Sequence, residues 1–135
     1  MASATLYLWI AVGSAFGGMA RFFCSGVIAR MFGETFPWGT LLVNVLGSFV
    51  IGLIAALTAP DGRIFMGSTA RLALMAGVCG GYTTFSSFSL QTLSLLNDGE
   101  WSYASANIAG SVVFCLVAVW AGYVLGNSFN AMKWI

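Results

Sequence analysis

A run of uncharged polar residues interrupts the third apolar stretch of the chain. It contains two glycines, then two threonines and three serines, in the order Gly80-Gly81-Tyr82-Thr83-Thr84-Phe85-Ser86-Ser87-Phe88-Ser89. This composition makes a poor continuous helix, and at membrane depth non-helical backbone persists only where protein or a water-filled cavity supplies hydrogen-bond partners. The run therefore predicts a helix break near residues 80–84. Bare carbonyl groups at one new end would suit a cation, and bare N–H groups at the other would suit an anion.

The same residues have a plainer interpretation. Small residues let neighbouring helices approach closely, and Gly77 and Gly81 stand four residues apart, on one helix face. A packing face accounts for these glycines but does not explain the dense hydroxyl run, so the break is the favoured prediction.

Two phenylalanines follow the predicted break. Phe85 and Phe88 stand three residues apart and project to the same side of the second half-helix. Aromatic residues at this spacing usually pack against a neighbour or face lipid. The edge of an aromatic ring is nevertheless positive, so ring edges beside serine hydroxyls and an amide could hold a small, hard anion without any full charge.

Two rows of polar residues lie in other apolar stretches, each with the four-residue spacing that shares one helix face. One row is Thr40, Asn44 and Ser48, and the other is Asn107, Ser111 and Cys115. Facing each other, the rows would form a hydrogen-bonding track. Alternatively, they hold the bundle together by interhelical hydrogen bonds of about 0.6–2 kcal/mol each. The residues alone leave both interpretations open.

Ionisable side chains are almost confined to the links between apolar stretches. The four carboxylates, Glu34, Asp61, Asp98 and Glu100, all lie in links, whereas Arg21 lies within the first stretch. Such an arginine either snorkels toward an interface or lines a water-filled vestibule. Because no nucleophile–base pair, phosphate loop or metal-ligand cluster is present, we expect no enzyme. A proton-coupled exporter would lack the buried carboxylate or histidine that it normally needs.

The elements that position these residues follow from the composition. The 135 residues are 59% hydrophobic and 7% charged, against about 25% charged in a soluble domain. A helix of about 20 apolar residues crosses a hydrocarbon core about 30 Å thick, and the chain contains four such lengths, residues 5–28, 37–59, 65–97 and 101–126. We predict one all-α membrane domain over residues 1–135, with four transmembrane helices and the third broken within the membrane.

Basic residues are divided almost evenly between the two sides of the predicted bundle. Arg63, Arg71 and Lys133 fall on the side of the N-terminus, and Arg21 and Arg30 fall on the other. Three against two gives the positive-inside rule little to act on. We therefore predict insertion in both orientations and antiparallel pairing of two copies; the alternative is one orientation fixed by other signals.

The third-stretch run resembles the signature G-G-x-[ST]-T-F-S-[ST]-F-S of the Fluc (CrcB) family of fluoride channels. The stretch Gly39-Thr40-Leu41-Leu42-Val43-Asn44-Val45-Leu46-Gly47 is similar to the family's second-span pattern G-T-x-x-x-N-x-x-G, and Ala20-Arg21-Phe22 looks like its first-span arginine. The resemblance covers almost the whole chain. It implies an antiparallel, dual-topology homodimer in the lipid bilayer of the bacterial inner membrane. Two pores along the subunit interface would let fluoride leave the cytoplasm and relieve its toxicity, with no nucleic-acid partner.

The resemblance also implies roles for particular residues. Asn44 would hydrogen-bond fluoride, and Phe85 and Phe88 would present ring edges to it. The polar track would continue through Thr40, Thr84, Ser87, Asn107 and Ser111. Arg21 would line the vestibule. A structural sodium ion would be held by the main-chain carbonyls of Gly80 and Thr83 from each subunit.

Two positions depart from the family. Asn107 stands where some members have tyrosine or histidine, and Cys115 replaces a frequent hydroxyl by a thiol, which is a weaker donor. Two other functions stay open on the sequence: a small dual-topology drug or cation exporter, and a non-transporting membrane assembly protein whose polar rows only join helices. The absent membrane carboxylate counts against the exporter.

Overall fold

A computed structural model describes residues 4–132 of the chain, and the regular structure in that range is entirely helical. Lys133, which enters the charge balance above, lies outside the described residues. In chain order the helices are α1 (Ala4–Phe32), α2 (Trp38–Leu57), α3 (Ser68–Leu72), a π-helical segment (Ala73–Cys79), α4 (Gly80–Tyr82), α5 (Phe85–Asn97) and α6 (Trp101–Ala131).

Three of the helices among the described residues are long and apolar enough to cross a membrane. They are α1 with 29 residues, α2 with 20 and α6 with 31. Residues 65–97, the remaining predicted span, are divided into shorter helices. Residues 65–67 precede α3, and the backbone leaves helical geometry again at Thr83 and Thr84.

Helices α3 and α4 and the π-helical segment between them form one continuous rod over residues 68–82. The junction residues keep right-handed helical dihedral angles, with φ −67° and ψ −39° at Leu72 and φ −66° and ψ −40° at Cys79. The π-helical section of seven residues widens the rod, a local feature that is rare in helices and frequent near functional sites.

Glycines let the helix backbones come into close contact. Helix α2 packs along α6, and α1 packs along the rod. A Cβ atom on Gly122 would overlap the carbonyl oxygen of Phe49, and one on Gly81 would lie 2.6 Å from the carbonyl oxygen of Ser14. Small residues at helix crossings are the packing mode of membrane bundles, where lipid removes the usual hydrophobic drive between helices.

The outer surface of the bundle is apolar. Val43 and Ala104 are fully buried at 0% exposure, whereas large apolar side chains such as Phe22, at 83%, are exposed around the bundle. Apolar surface on this scale marks contact with a membrane or a partner. Together with the three long apolar helices, it identifies a multi-pass membrane protein.

Candidate functional site

Two threonines interrupt the helix between the rod and α5. Thr83 has φ −85° and ψ 159° and Thr84 has φ −154° and ψ 118°, both extended. Threonine is β-branched and fits extended backbone well. Thr84 also caps α5, because its hydroxyl oxygen accepts the Ser87 N–H at 3.1 Å. Such a cap satisfies one of the N–H groups that a helix start leaves without a partner.

The side-chain amide of Asn44 holds the interruption from α2. Its Nδ2 donates to the Thr84 carbonyl oxygen at 2.9 Å, and its Oδ1 accepts the Thr84 N–H at 2.7 Å. One amide thus pairs with both backbone polar groups of a single residue, as a neighbouring strand would. These two bonds compensate for the backbone hydrogen bonds that the break removes.

The carbonyl groups of residues 80–83 lose their helical donors at the same place, and two of them belong to the predicted sodium site. In an unbroken helix the Thr84 N–H would donate to the Gly80 carbonyl, and the Ser87 N–H to the Thr83 carbonyl. Here the first donates to Asn44 and the second to the Thr84 hydroxyl. Unwound carbonyl oxygens of this kind coordinate sodium in membrane proteins. The donor set fits the predicted sodium ion, whose presence stays a prediction.

A cavity of about 420 Å³ lies beside the break. Five of the eight predicted pathway residues line it, namely Asn44, Thr84, Phe85, Phe88 and Ser111. Gly80 and Thr83 border the same cavity, as do the thiols of Cys79 and Cys115. The polar groups in its wall are amide, hydroxyl, thiol and backbone groups, and none of them carries a full charge.

The two aromatic rings occupy different environments. The ring centroids of Phe85 and Phe88 lie 5.1 Å apart and the ring planes are inclined by 52°. In the single chain the Phe88 side chain is 9% exposed, whereas that of Phe85 is 77% exposed.

Asn107 lies away from the cavity, between α5 and α6. It is 1% exposed, and its Nδ2 donates to the Thr92 hydroxyl oxygen at 2.9 Å. The Ser111 hydroxyl approaches its Oδ1 at 3.4 Å. Sequence reasoning did not single out Thr92, although it follows Phe88 by one helical turn, the spacing that brings its hydroxyl to the Phe88 carbonyl at 2.8 Å.

The remaining predicted residues lie outside the cavity wall. Thr40 is 8% exposed and faces a separate cavity of about 660 Å³. This cavity lies beside the link between α1 and α2 and the link between α5 and α6. Ser87 accepts a hydrogen bond from the Thr84 hydroxyl at 3.1 Å. Arg21 is half-buried, and its Nε has no hydrogen-bond partner among residues 4–132. Its assignment to a vestibule stays a prediction.

The uncharged polar groups of the cavity wall suit contact with an ion. Within the described part of the chain, no three His, Cys, Asp or Glu side chains gather in a way that would hold a transition metal. Uncharged donors and aromatic rings around a cavity instead suit weak, reversible contact with a small anion, as in channel filters that replace a hydration shell.

Comparisons with known proteins agree with the motifs. Residues 8–123 match the family model described as CrcB-like protein, Camphor Resistance (CrcB). A protein of Opitutus terrae named fluoride-specific ion channel FluC is 58% identical over 129 residues, which cover 96% of this chain and 98% of that protein. A protein of Methylocella silvestris with the same name is 58% identical over 127 residues, covering 94% and 97%. A third, from Rhodospirillum rubrum, is 56% identical over 118 residues, covering 87% and 92%.

Proposed function

The chain belongs to the CrcB family, and we propose that it is a fluoride-selective ion channel that lets fluoride leave the cytoplasm passively, down its gradient. The relatives named fluoride-specific ion channel match it over nearly their whole length. Membership of a channel family also means that the chain is not an enzyme. The relief of fluoride toxicity in the cell follows from such a leak, because it returns the cytoplasmic concentration toward that outside.

One observation carries the proposal: Asn44, Phe85, Phe88 and Ser111 meet at a single cavity beside a break in the helix. Fluoride is small and strongly hydrated, so a selective passage must replace its water by several donors held in place. A full positive charge in the passage would bind the ion too tightly for release. Amide, hydroxyl and ring-edge donors attract it without that penalty.

Each lining residue has a defined part in the proposed pathway. Phe85 and Phe88 present ring edges. Thr84 and Ser111 present hydroxyls, each of which would turn its one hydrogen from its present acceptor, Ser87 Oγ or Asn107 Oδ1, to the ion. An amide nitrogen has two N–H donors, and Asn44 uses one of them to hold Thr84. The second is the donor that we assign to fluoride. Thr40 and Ser87 extend the polar route beyond the cavity, and Arg21 attracts anions at the vestibule.

We further propose an antiparallel, dual-topology homodimer in the bacterial plasma membrane, with the break of the third span midway through the bilayer. One observed feature supports this. Phe85 is 77% exposed in the single chain, so a second copy is needed to close the passage around it. Antiparallel pairing also brings two breaks together at the membrane centre. There the Gly80 and Thr83 carbonyls of both copies would hold one sodium ion, which would balance their dipoles and join the subunits.

Fluoride efflux from reconstituted vesicles tests the function. Vesicles loaded with potassium fluoride and containing the purified protein are diluted into fluoride-free medium, and a fluoride electrode records efflux after valinomycin releases potassium. The expected result is rapid efflux that starts with valinomycin and needs no pH gradient, with little efflux from matched vesicles loaded with chloride. Efflux that requires a proton gradient would indicate the exporter, and efflux no faster than from empty vesicles would contradict the channel.

A further inference from the structure

We propose that Asn107 and Thr92 are positioning residues that fix the Phe88 ring in the fluoride pathway, and that Asn107 does not touch the ion. The inference rests on the proposed function, because it concerns the same cavity. The family resemblance implies that the Asn107 amide lies on the polar track itself. The proposal instead gives Asn107 an indirect part.

A chain of hydrogen bonds joins α6 to the backbone of Phe88. The Asn107 Nδ2 donates to the Thr92 hydroxyl oxygen at 2.9 Å, and the Thr92 hydroxyl donates to the Phe88 carbonyl oxygen at 2.8 Å. Each hydroxyl oxygen can accept while its hydrogen donates, so the two bonds polarise each other in the same direction. The Phe88 backbone is thereby tied to a helix that faces it.

Burial separates this chain of bonds from the passage. Asn107 is 1% exposed and Thr92 is 8% exposed. The Asn107 Nδ2 donates one of its two N–H groups to Thr92, and the Ser111 hydroxyl donates to its Oδ1 at 3.4 Å; it is the burial of the amide, and its place outside the cavity wall, that keeps its second N–H from an ion. Phe88, by contrast, is a cavity-lining residue. Asn107 can therefore influence an ion only through the position of Phe88 and Ser111.

The neighbouring phenylalanine provides an internal comparison. The Ser89 hydroxyl donates to the Phe85 carbonyl at 2.9 Å, one helical turn apart, as Thr92 does to Phe88. Ser89 is exposed in the chain, whereas the Thr92 hydroxyl oxygen also accepts a hydrogen bond from the Asn107 amide of α6. The position of Phe88 should therefore depend on α6, and that of Phe85 should not.

Four variants and one control test the proposal. Thr92→Val removes the hydroxyl at nearly constant volume, Thr92→Ser keeps it, Asn107→Leu removes the amide, and the fourth variant combines Thr92→Val with Asn107→Leu. Ser128→Ala is the matched control, because the Ser128 hydroxyl bonds the Val124 carbonyl one turn earlier at 3.0 Å on an exposed part of α6. Fluoride efflux and the fluoride–chloride reversal potential are measured on those variants that elute from gel filtration at the same volume as the wild type.

The expected effect is shared by the two residues. Thr92→Val and Asn107→Leu each lower fluoride efflux about tenfold, equivalent to about 1.4 kcal/mol, and shift the reversal potential toward zero. The double variant loses no more than Asn107→Leu alone and not a hundredfold, because Thr92 acts on Phe88 through the chain of bonds that Asn107→Leu already breaks, whereas the Ser111 bond is lost with Asn107 alone. Thr92→Ser restores most of the efflux, and Ser128→Ala matches the wild type. Wild-type efflux in Thr92→Val, equal losses in Thr92→Ser and Thr92→Val, or additive losses would overturn the proposal.

A measurement without flux separates this inference from the proposed function. In protein labelled with ring-¹³C phenylalanine, the Phe88 resonance is identified by its loss in Phe88→Leu. It is expected to move in Thr92→Val and Asn107→Leu while the Phe85 resonance and the Ser128→Ala spectrum stay unchanged. An unmoved Phe88 signal overturns the positioning role whether or not the protein conducts. If the wild type does not pass fluoride, the proposed function is wrong, and this spectrum alone tests the positioning role. If Asn107→Leu does not fold, the comparison of Thr92→Val with Thr92→Ser tests that role.

Discussion

The Asn44→Asp substitution alters a single side-chain group and tests both parts that Asn44 plays. It exchanges the Nδ2 donor, 2.9 Å from the Thr84 carbonyl oxygen, for a charged oxygen, and it keeps the Oδ1 that accepts the Thr84 N–H at 2.7 Å. One of the two bonds that hold the break is lost. A negative charge also enters the wall of the cavity, where no fixed charge stood before.

The charge is the larger of these two effects. Two like unit charges about 4 Å apart repel by about 4 kcal/mol at an effective dielectric constant of about 20. Because about 1.4 kcal/mol corresponds to a factor of ten, fluoride occupancy beside residue 44 should fall about a thousandfold. Asn44→Leu separates the causes, since it has similar volume, no charge and neither hydrogen bond. Each interhelical bond contributes about 0.6–1.7 kcal/mol. Because Asn44→Leu lacks both bonds to Thr84, its fluoride efflux should be about 10- to 300-fold below that of the wild type.

Vesicle efflux measured with a fluoride electrode ranks the three proteins. After gel filtration has shown equal assembly, the wild type should be fastest, Asn44→Leu slower, and Asn44→Asp indistinguishable from empty vesicles. Wild-type efflux in Asn44→Asp would refute the assignment of Asn44 to the pathway. A complete loss in both variants would show that removal of the amide, with its bonds to Thr84 and its N–H for fluoride, is enough to block efflux without any charge.

Three further predictions follow from the site and the packing. Phe85→Ile and Phe88→Ile should each stop efflux while the dimer persists, because an aliphatic side chain fills space but has no positive ring edge; undiminished efflux would remove that residue from the pathway. Gly122→Ala should lower the free energy of unfolding by about 1–3 kcal/mol through overpacking against Phe49, as judged by thermal unfolding. Gly18→Ala is its control, with nothing within 4 Å of the added Cβ, and equal midpoints for the two variants would argue against close α2–α6 contact. Reporters fused to the C-terminus should give signals from both sides of the membrane, and a signal from one side only would reject dual topology.

The presence of long apolar helices at α1, α2 and α6 could be predicted from composition, but the choice between break and packing for the glycines in the third span could not. Gly80 and Gly81 remain helical in α4, and Gly81 packs against the backbone of Ser14, as the packing interpretation expects. The extended residues are Thr83 and Thr84. Helix propensity indicates that a segment is weak, but tertiary contact decides which of its residues leave the helix.

The two asparagines show a second limit of sequence patterns. Asn44 and Asn107 each begin or continue a polar row with four-residue spacing, and the spacing gives both the same interpretation. In the structure Asn44 borders the cavity, whereas Asn107 turns to Thr92 on α5. Ser111, one turn later on the same face of α6, does line the cavity, so the difference lies in the position of each residue along its helix relative to the break, which the spacing does not encode.

The reversal potential under bi-ionic conditions measures selective passage of fluoride most directly. The purified protein is placed in a planar bilayer with potassium fluoride on one side and an equal concentration of potassium chloride on the other. An uncharged passage built from ring edges, hydroxyls and one amide predicts a large reversal potential of the sign set by fluoride current, with both Phe→Ile variants silent. A reversal potential near zero, which equal permeability of the two anions or a potassium current would give, would contradict it.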